Sequence, residues 1–169
     1  MTRTKALAFW PVLLSTFALD CATKKIAVDN LTPPHVAHPV IGNVLRFTLA
    51  YNPVAAMGLS LGQYSRVAFA LLAIVTVCAL GVYYPRISGG SRVAILALAL
   101  IGGGAAGNML DRVRSARGVV DFIDVGFGNA RFYTFNIADA AVSFGAALFL
   151  LVMLRSRSSR NFFLHNPPP

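Results

Sequence analysis

The sequence lacks glutamate altogether and has little charge of any kind. All six acidic residues are aspartate, against 15 lysines and arginines, and charged residues make up only 12% of the 169 positions. A soluble domain carries about 25% charged residues, so this chain has too few to cover a surface that faces water. The same shortage excludes intrinsic disorder, which needs a polar, highly charged chain. Two cysteines are too few for a disulfide scaffold.

Apolar residues are abundant and lie in long runs. They amount to 56% of the chain, and the mean hydropathy is +0.65. Runs of 19 and 18 uncharged residues end at Arg86 and Asp111, while shorter runs of 14 and 15 end at Asp20 and begin after Asp139. A membrane-spanning helix needs about 20 residues, so each shorter run spans only if its aspartate lies inside one helix end. No small-x-small cleavage pattern follows the first run, which we therefore keep as a span.

These runs predict an all-α membrane protein of four transmembrane helices in a single domain, residues 1–169. The predicted spans are about 6–26, 66–85, 92–110 and 136–154. The basic residues lie at the ends of the runs, which indicates membrane topology rather than nucleic-acid binding. Segments 1–5, 85–92 and 155–169 hold seven bases in 28 positions, whereas loops 27–65 and 111–135 hold five in about 64. We therefore predict cytoplasmic termini, a cytoplasmic tail at 155–169 and two outer loops.

With this topology, the carboxyl groups gather at one interface. The outer ends of the spans and the second outer loop bring together Asp20, Asp111, Asp121, Asp124 and Asp139, and Asp29 is left over on the same side. The outer loops also contain strand patterns at 44–51 and 118–125, then a turn at 126–129 and a return strand at 130–135. A small extracytoplasmic β-sheet on the membrane surface is the predicted result.

The pattern around each aspartate suggests a role. Asp20 and Lys24 are four residues apart on a helix, which fits either a boundary ion pair or a part in shaping an active site. Asp111 and Arg112 end the third span, with Asn108 one turn earlier, and favour a structural network. Gly103 and Gly107 have the GxxxG spacing that lets another helix approach, either a span of this chain or a substrate helix.

Asp121 and Asp139 are the predicted reacting pair. Residues three apart in a strand face opposite sides, so only one of Asp121 and Asp124 can point at the cluster. Asp139 lies in a helix that enters the bilayer, where an ionisable group is costly and function is the default hypothesis. Asn136 already offers the helix cap. Two carboxyls at a partly dry interface share a proton, which is the chemistry of aspartic proteases.

Other chemistries find little support. The sequence has no HExxH, GxSxG or Walker motif, and His35 and His38 have no further metal ligands nearby, so no metal or other cofactor is expected. A proton-coupled transporter would favour acids at the bilayer midplane and repeated halves. A non-catalytic membrane chaperone or scaffold would leave the interfacial acids unexplained. Both stay as alternatives to the peptidase.

The order of motifs resembles that of the lipoprotein signal peptidase (signal peptidase II) family of bacterial aspartic peptidases. The motifs are DCATK at 20–24, YNPVAAMGL at 51–59, GNMLDR at 107–112, VVDFID at 119–124 and FNIAD at 135–139. The resemblance implies a catalytic dyad of Asp121 and Asp139. It further implies that seven residues bind substrate or shape the site: Asn52, Asn108, Arg112, Asn136, Asp20, Lys24 and Asp111.

The resemblance also implies the reaction. The substrates would be prolipoproteins that already carry diacylglycerol on a cysteine, and cleavage would fall just before that cysteine. The enzyme would be a monomer of the bacterial inner membrane, in contact with membrane lipids, with its active site at the outer face. The sequence departs from the family pattern at Pro53 and Met57, where glycine and phenylalanine are usual, and the spacer at 113–118 is one residue longer.

Overall fold

The computed structural model describes residues 3–53, 64–84 and 91–165, so the predicted feature at Met57 lies outside the described residues. Four helices occupy the predicted positions: α1 (Arg3–Asn30), α2 (Ser65–Tyr83), α3 (Arg92–Arg114) and α4 (Ile137–His165). Within the described part of the chain, three of them are long and apolar enough to cross a membrane, namely Arg3–Asn30, Arg92–Arg114 and Ile137–Arg155. The protein is thus helical, with several candidate membrane spans.

Three of the helices extend beyond the predicted spans. α1 continues past residue 26 and α3 past residue 110, because the charged residues near their C-terminal ends are paired and need not leave the helix. α4 begins at Ile137 as expected and continues to His165, so residues 155–165 of the predicted tail are helical. The positions of charged residues in the sequence therefore predicted the apolar part of each helix, but not the residue at which the helix ends.

α3 is the central helix and packs against α1, α2 and α4. Its most apolar stretch is 61% buried, against 17% for α1 and for α4. Glycines permit this close packing: a Cβ on Gly103 would lie 2.6 Å from the Leu13 carbonyl oxygen of α1, and one on Gly104 would lie 2.5 Å from the Ala138 carbonyl oxygen of α4. The partner of the GxxxG face, which the sequence left open, is α1.

A four-stranded antiparallel sheet lies at the end of the bundle where α1 and α3 end and α4 begins. Its order is β1 (Ala37–Ile41), β2 (Leu45–Asn52), β3 (Val119–Phe127) and β4 (Ala130–Arg131). The β2–β3 register is irregular between Phe47 and Ala50, where a bulge bends the strand. The central strands are well packed, since Leu49 is fully buried.

Two details of the sheet differ from the sequence prediction. The return strand predicted at 130–135 is only two residues long, followed by an isolated bridge between Ile123 and Phe135. The intervening Phe132 and Tyr133 are exposed and lie outside the strand, although the Phe132 N–H still donates to the Val125 carbonyl oxygen of β3 over 2.8 Å. Strand β1 was not predicted at all, because most of its side chains are exposed and it lacks an alternating pattern.

Candidate active site

The nine residues predicted for the site form one connected polar network at the end of the bundle that carries the sheet. They come from five elements: α1, β2, β3, the end of α3, and the beginning of α4 with the residue before it. Hydrogen bonds and ion pairs link every member to at least one other: Asp20, Lys24, Asn52, Asn108, Asp111, Arg112, Asp121, Asn136 and Asp139. The network joins segments that lie more than one hundred residues apart in the chain.

Asp121 lies on β3 and is held by two amide groups. Asn52 Nδ2 of β2 donates to Asp121 Oδ2 over 3.0 Å, and Asn136 Nδ2 donates to Asp121 Oδ1 over 2.7 Å. The side chain is nearly fully buried, with 2% of the residue exposed. Asn52 can reach the carboxyl because it lies near Asp121 in the β2–β3 register, across from Val119.

Asp139 lies in the first turn of α4, beside its own helix cap. The Asp139 backbone N–H donates to Asn136 Oδ1 over 2.9 Å, and the Asn136 N–H donates back to Asp139 Oδ2 over 3.3 Å. This reciprocal pair is a capping box built with aspartate. Asn108 Nδ2 of α3 donates to Asp139 Oδ1 over 2.8 Å. The prediction that Asn136 caps α4 is confirmed.

Lys24 of α1 connects two aspartates and Asn108, the residue that bonds to Asp139. Its Nζ lies 2.8 Å from Asp20 Oδ2 and 2.9 Å from Asp111 Oδ2, and donates to Asn108 Oδ1 over 2.8 Å. Asp20 Oδ1 in turn accepts the Ala138 N–H at the beginning of α4 over 2.9 Å. The predicted Asp20–Lys24 ion pair is thus present, and Asp20 also contacts the helix that bears Asp139.

Burial and the neighbouring charge raise the pKa of Asp121. Desolvation is the largest cause and the Asp139 carboxylate the second, and together they raise the pKa of Asp121 from 3.8 to about 7. The hydrogen bonds from Asn52 and Asn136 oppose this rise without cancelling it. The Arg112 guanidinium, whose Nη1 donates to the Asn108 carbonyl oxygen, interacts electrostatically with both carboxyls. A carboxyl that can keep its proton near neutral pH thus lies beside another acid.

Asp124 faces the other side of the same strand, as the three-residue spacing predicts. Its Oδ2 accepts hydrogen bonds from Arg46 and Thr48, and its Oδ1 lies 2.7 Å from Arg131 Nη2. Although burial raises the pKa of Asp124, the hydrogen bonds from the two arginines and the threonine outweigh it and lower that pKa. Asp124 is therefore an ionised structural residue that ties the two hairpins together. Sequence analysis did not identify its arginine partners.

A pocket of about 260 Å³ opens beside Asp139. Its wall combines the polar side chains of Asn52 and Ser143 with a run of aromatic and polar residues before α4: Phe132, Tyr133, Thr134 and Phe135. The sequence pattern predicted only a strand here. The signal for a wall was the aromatic run that leads into the FNIAD motif, with Phe132 and Tyr133 before it and Phe135 as its first residue, a composition that suits a binding wall as well as a sheet. Within residues 3–53, 64–84 and 91–165, no group of three acids, histidines or cysteines could hold a metal ion.

Comparisons with known proteins place this chain among peptidases. The family model described as signal peptidase (SPase) II matches residues 12–155. A lipoprotein signal peptidase of Pseudomonas aeruginosa is 41% identical over 153 residues, covering 89% of each chain, and one of Geobacter metallireducens is 35% identical over 141 residues, covering 83% of this chain and 86% of the relative. A bacterial membrane enzyme solved by the in meso method at 2.3 Å resolution superposes with a TM-score of 0.77 at 29% identity, over 88% of each chain.

The fold and the matches together define the class: the protein is a bacterial membrane peptidase, and hence a hydrolase. Within that class, the chain belongs to the signal peptidase II family.

Proposed function

We propose that this protein is an aspartic endopeptidase that removes the signal peptide from diacylglyceryl-modified prolipoproteins. Cleavage falls immediately before the lipidated cysteine, and water is activated by Asp121 and Asp139. The names of its relatives, which are lipoprotein signal peptidases, support the substrate class. The dyad is the pair that the family resemblance implies, and the hydrogen bonds around the two carboxyls support it.

The observation that carries this proposal is the position of Asn136 between the two carboxyls. Its side-chain amide donates to Asp121 Oδ1, while its backbone N–H and its Oδ1 bond to Asp139. One residue thus sets the separation and orientation of both acids. The positioned pair is what general acid–base catalysis by two carboxyls requires.

The chemistry follows from the different states of the two acids. Two coupled carboxyls titrate as a pair, so over an intermediate pH range they hold one proton between them. The ionised carboxyl takes a proton from water, the resulting hydroxide attacks the scissile carbonyl carbon, and the protonated carboxyl donates to the carbonyl oxygen. When the tetrahedral intermediate collapses and the peptide bond breaks, the carboxyl that took the water proton gives it to the leaving amine. The other carboxyl takes its proton back from the hydroxyl of the intermediate, which restores the one-proton dyad. No covalent intermediate with the enzyme forms.

The remaining polar residues hold the substrate and the dyad in place. Asn52 and Asn108 each donate to one of the acids, and Arg112 supplies a nearby positive charge. Lys24, Asp20 and Asp111 form the support that fixes the end of α3 and the beginning of α4. The pocket beside Asp139 accepts the residues next to the scissile bond.

We further propose that the whole chain, 1–169, is one membrane domain in which α2 is the second of four spans. Both termini are then cytoplasmic and the dyad lies at the outer face of the bacterial inner membrane, as the distribution of basic residues indicates. This placement suits a substrate whose diacylglyceryl group stays in the bilayer while water reaches the peptide bond. One chain supplies every member of the site network, which supports a monomeric enzyme.

The test uses purified protein in lipid nanodiscs with one precursor prepared in lipidated and unlipidated forms. We expect cleavage of the lipidated form only. Asp121→Asn and Asp139→Asn should each lower the cleavage rate by about 10³-fold or more, because each removes a group that transfers a proton. Asp29→Asn is the matched control, since Asp29 is exposed and forms an ion pair with the exposed Lys25, away from the site network. Normal cleavage by either dyad variant would refute the assignment.

A further inference from the structure

A second opening lies on α4, further from the sheet than the catalytic pocket. It is a groove of about 330 Å³ between α3 and the inner half of α4. Every residue that lines it is apolar: Ile101, Ala146, Phe149, Leu150, Met153 and Leu154. The catalytic proposal does not use this groove.

The groove and the catalytic pocket share one face of α4. Asp139 and Ser143 line the pocket, and Ala146, Leu150 and Met153 line the groove. Steps of four, three, four and three residues keep these side chains on the same side of a helix. A single face therefore runs without interruption from the proposed dyad toward the cytoplasmic end of α4.

The length of this face matches an apolar signal-peptide helix. From Asp139 to Met153 the helix rises about 21 Å at 1.5 Å per residue. The apolar core of a signal peptide has about 7–15 residues, which form a helix of roughly 10–22 Å. Because the cleavage site follows this core in the chain, a substrate helix seated on the face would deliver its scissile bond to the dyad.

The part of this face nearest Asp139 has small side chains, which suit contact with another helix. Ser143 and Ala146 are exposed and small, so a second backbone can approach α4 closely there. Below them, the larger Leu150 and Met153 are 58% and 42% exposed and offer apolar area to a partner. Large side chains would suit a lipid-covered face equally well, but a lipid chain gains nothing from the small residues beside the dyad.

We propose that this face of α4, together with Ile101 of α3, seats the apolar helix of the substrate's signal peptide. The inference rests on the proposed function and extends it from the scissile bond to the part of the substrate buried in the membrane. Recognition there is by shape and apolar contact, so the face discriminates among precursors by the length and bulk of their apolar cores.

The test places a large side chain either on the groove-lining face of α4 or on the neighbouring position outside the groove. Ala146→Phe places a large ring on the proposed face, and Ala147→Phe places the same ring on the adjacent exposed position, which does not line the groove. Each variant is assayed with a full lipidated precursor and with a lipidated peptide that lacks the apolar core. We expect Ala146→Phe to raise the KM for the full precursor about tenfold or more, and to leave the KM for the short peptide unchanged. Ala147→Phe should leave both unchanged.

Each result decides between occupants. If Ala146→Phe impairs both substrates equally, the groove holds the acyl chains of the lipidated cysteine and the proposal is wrong. If it impairs neither, bilayer lipid fills the groove and the proposal is equally wrong. Cleavage of neither substrate by the unaltered enzyme would contradict the proposed function itself, and with it this proposal, which rests on that function.

A second measurement does not depend on the phenylalanine variants folding. A photo-crosslinking residue at position 150 or at position 151 is combined with Asp139→Asn, which keeps the precursor intact. Both native leucines are exposed, at 58% and 53%, but only Leu150 lines the groove. Crosslinks from position 150 to the apolar core, and far fewer from position 151, are expected. Equal labelling from the two positions, or labelling of the acyl chains alone, would overturn the proposal.

Discussion

Replacement of Asp121 by asparagine should remove a pH-dependent loss of stability. Burial, followed by the charge of Asp139, raises the pKa of Asp121 from 3.8 to about 7. Between these values the folded protein keeps a proton that the unfolded chain has released. Stability therefore falls as the pH rises from about 4 to about 7. The rise of roughly three pKa units corresponds to about 4 kcal/mol lost at high pH.

Thermal unfolding in one detergent, measured from pH 4 to pH 8, checks this expectation. For a chain of this size, about 4 kcal/mol corresponds to a change in Tm of roughly 8–16 °C. The Tm of the native protein should fall by about that much relative to Asp121→Asn across the range. Asparagine offers one acceptor fewer to Asn52 and Asn136, which costs about 1–3 kcal/mol at every pH. The difference in slope, rather than either Tm alone, is the result to compare.

Asp29→Asn provides the control for removing a carboxylate without changing the site. Asp29 is exposed and pairs with Lys25 over 2.8 Å, so its variant should follow the native curve. Parallel curves for the native protein and Asp121→Asn would refute the reasoning, because they would mean that Asp121 releases its proton as readily in the folded protein as in the unfolded chain.

Three further predictions concern other parts of the structure. Asn52→Ala removes a hydrogen bond that favours the ionised form of Asp121, so the high-pH limb of the cleavage rate should move up by about one pH unit; an unmoved limb would exclude this contact from the titration. Asp124→Asn should lower the free energy of unfolding by about 2 kcal/mol at neutral pH. Because the lowered pKa of Asp124 stabilises the fold only while its carboxyl is ionised, the loss should be smaller below pH 4. Thermal unfolding at pH 7 and at pH 3 measures the difference. Gly107→Ala should cost about 1–3 kcal/mol, since its Cβ would overlap the Asp20 carboxylate, whereas Gly81→Ala in α2 meets open space and should not destabilise; equal Tm values for the two variants would contradict the packing.

Much of the site could be predicted from the order of apolar runs and charges. Four apolar runs of alternating direction bring the ends that carry Asp20, Asp111 and Asp139 to one side, and the structure does bring them together. The opposite faces of Asp121 and Asp124 followed from strand periodicity alone. Both predictions depend only on strand periodicity and on the length of the apolar runs, and both of these can be read from the sequence.

Other features depend on angles between elements, which sequence periodicity does not encode. That Asn136 reaches Asp121 requires a particular angle between α4 and β3. The return strand is shorter than predicted because the side chains of Phe132 and Tyr133 line a pocket, even though the Phe132 N–H still bonds to β3. An aromatic run has the same sequence pattern in a strand and in a pocket wall. Strand β1 was missed because an exposed edge with a proline at position 39 has no apolar face to detect.

Because Asn136 bonds to both Asp121 and Asp139, the site should be insensitive to changes in the surrounding lipid. The spacing of the two acids is set by hydrogen bonds that a single residue, Asn136, makes to both of them. It does not depend on where α4 sits along the membrane normal. Changes in lipid length or tension tilt and shift long helices at small cost. Such changes would carry both carboxyls along as a unit, so growth temperature and lipid composition should alter how substrate arrives far more than how fast the bound peptide bond is broken.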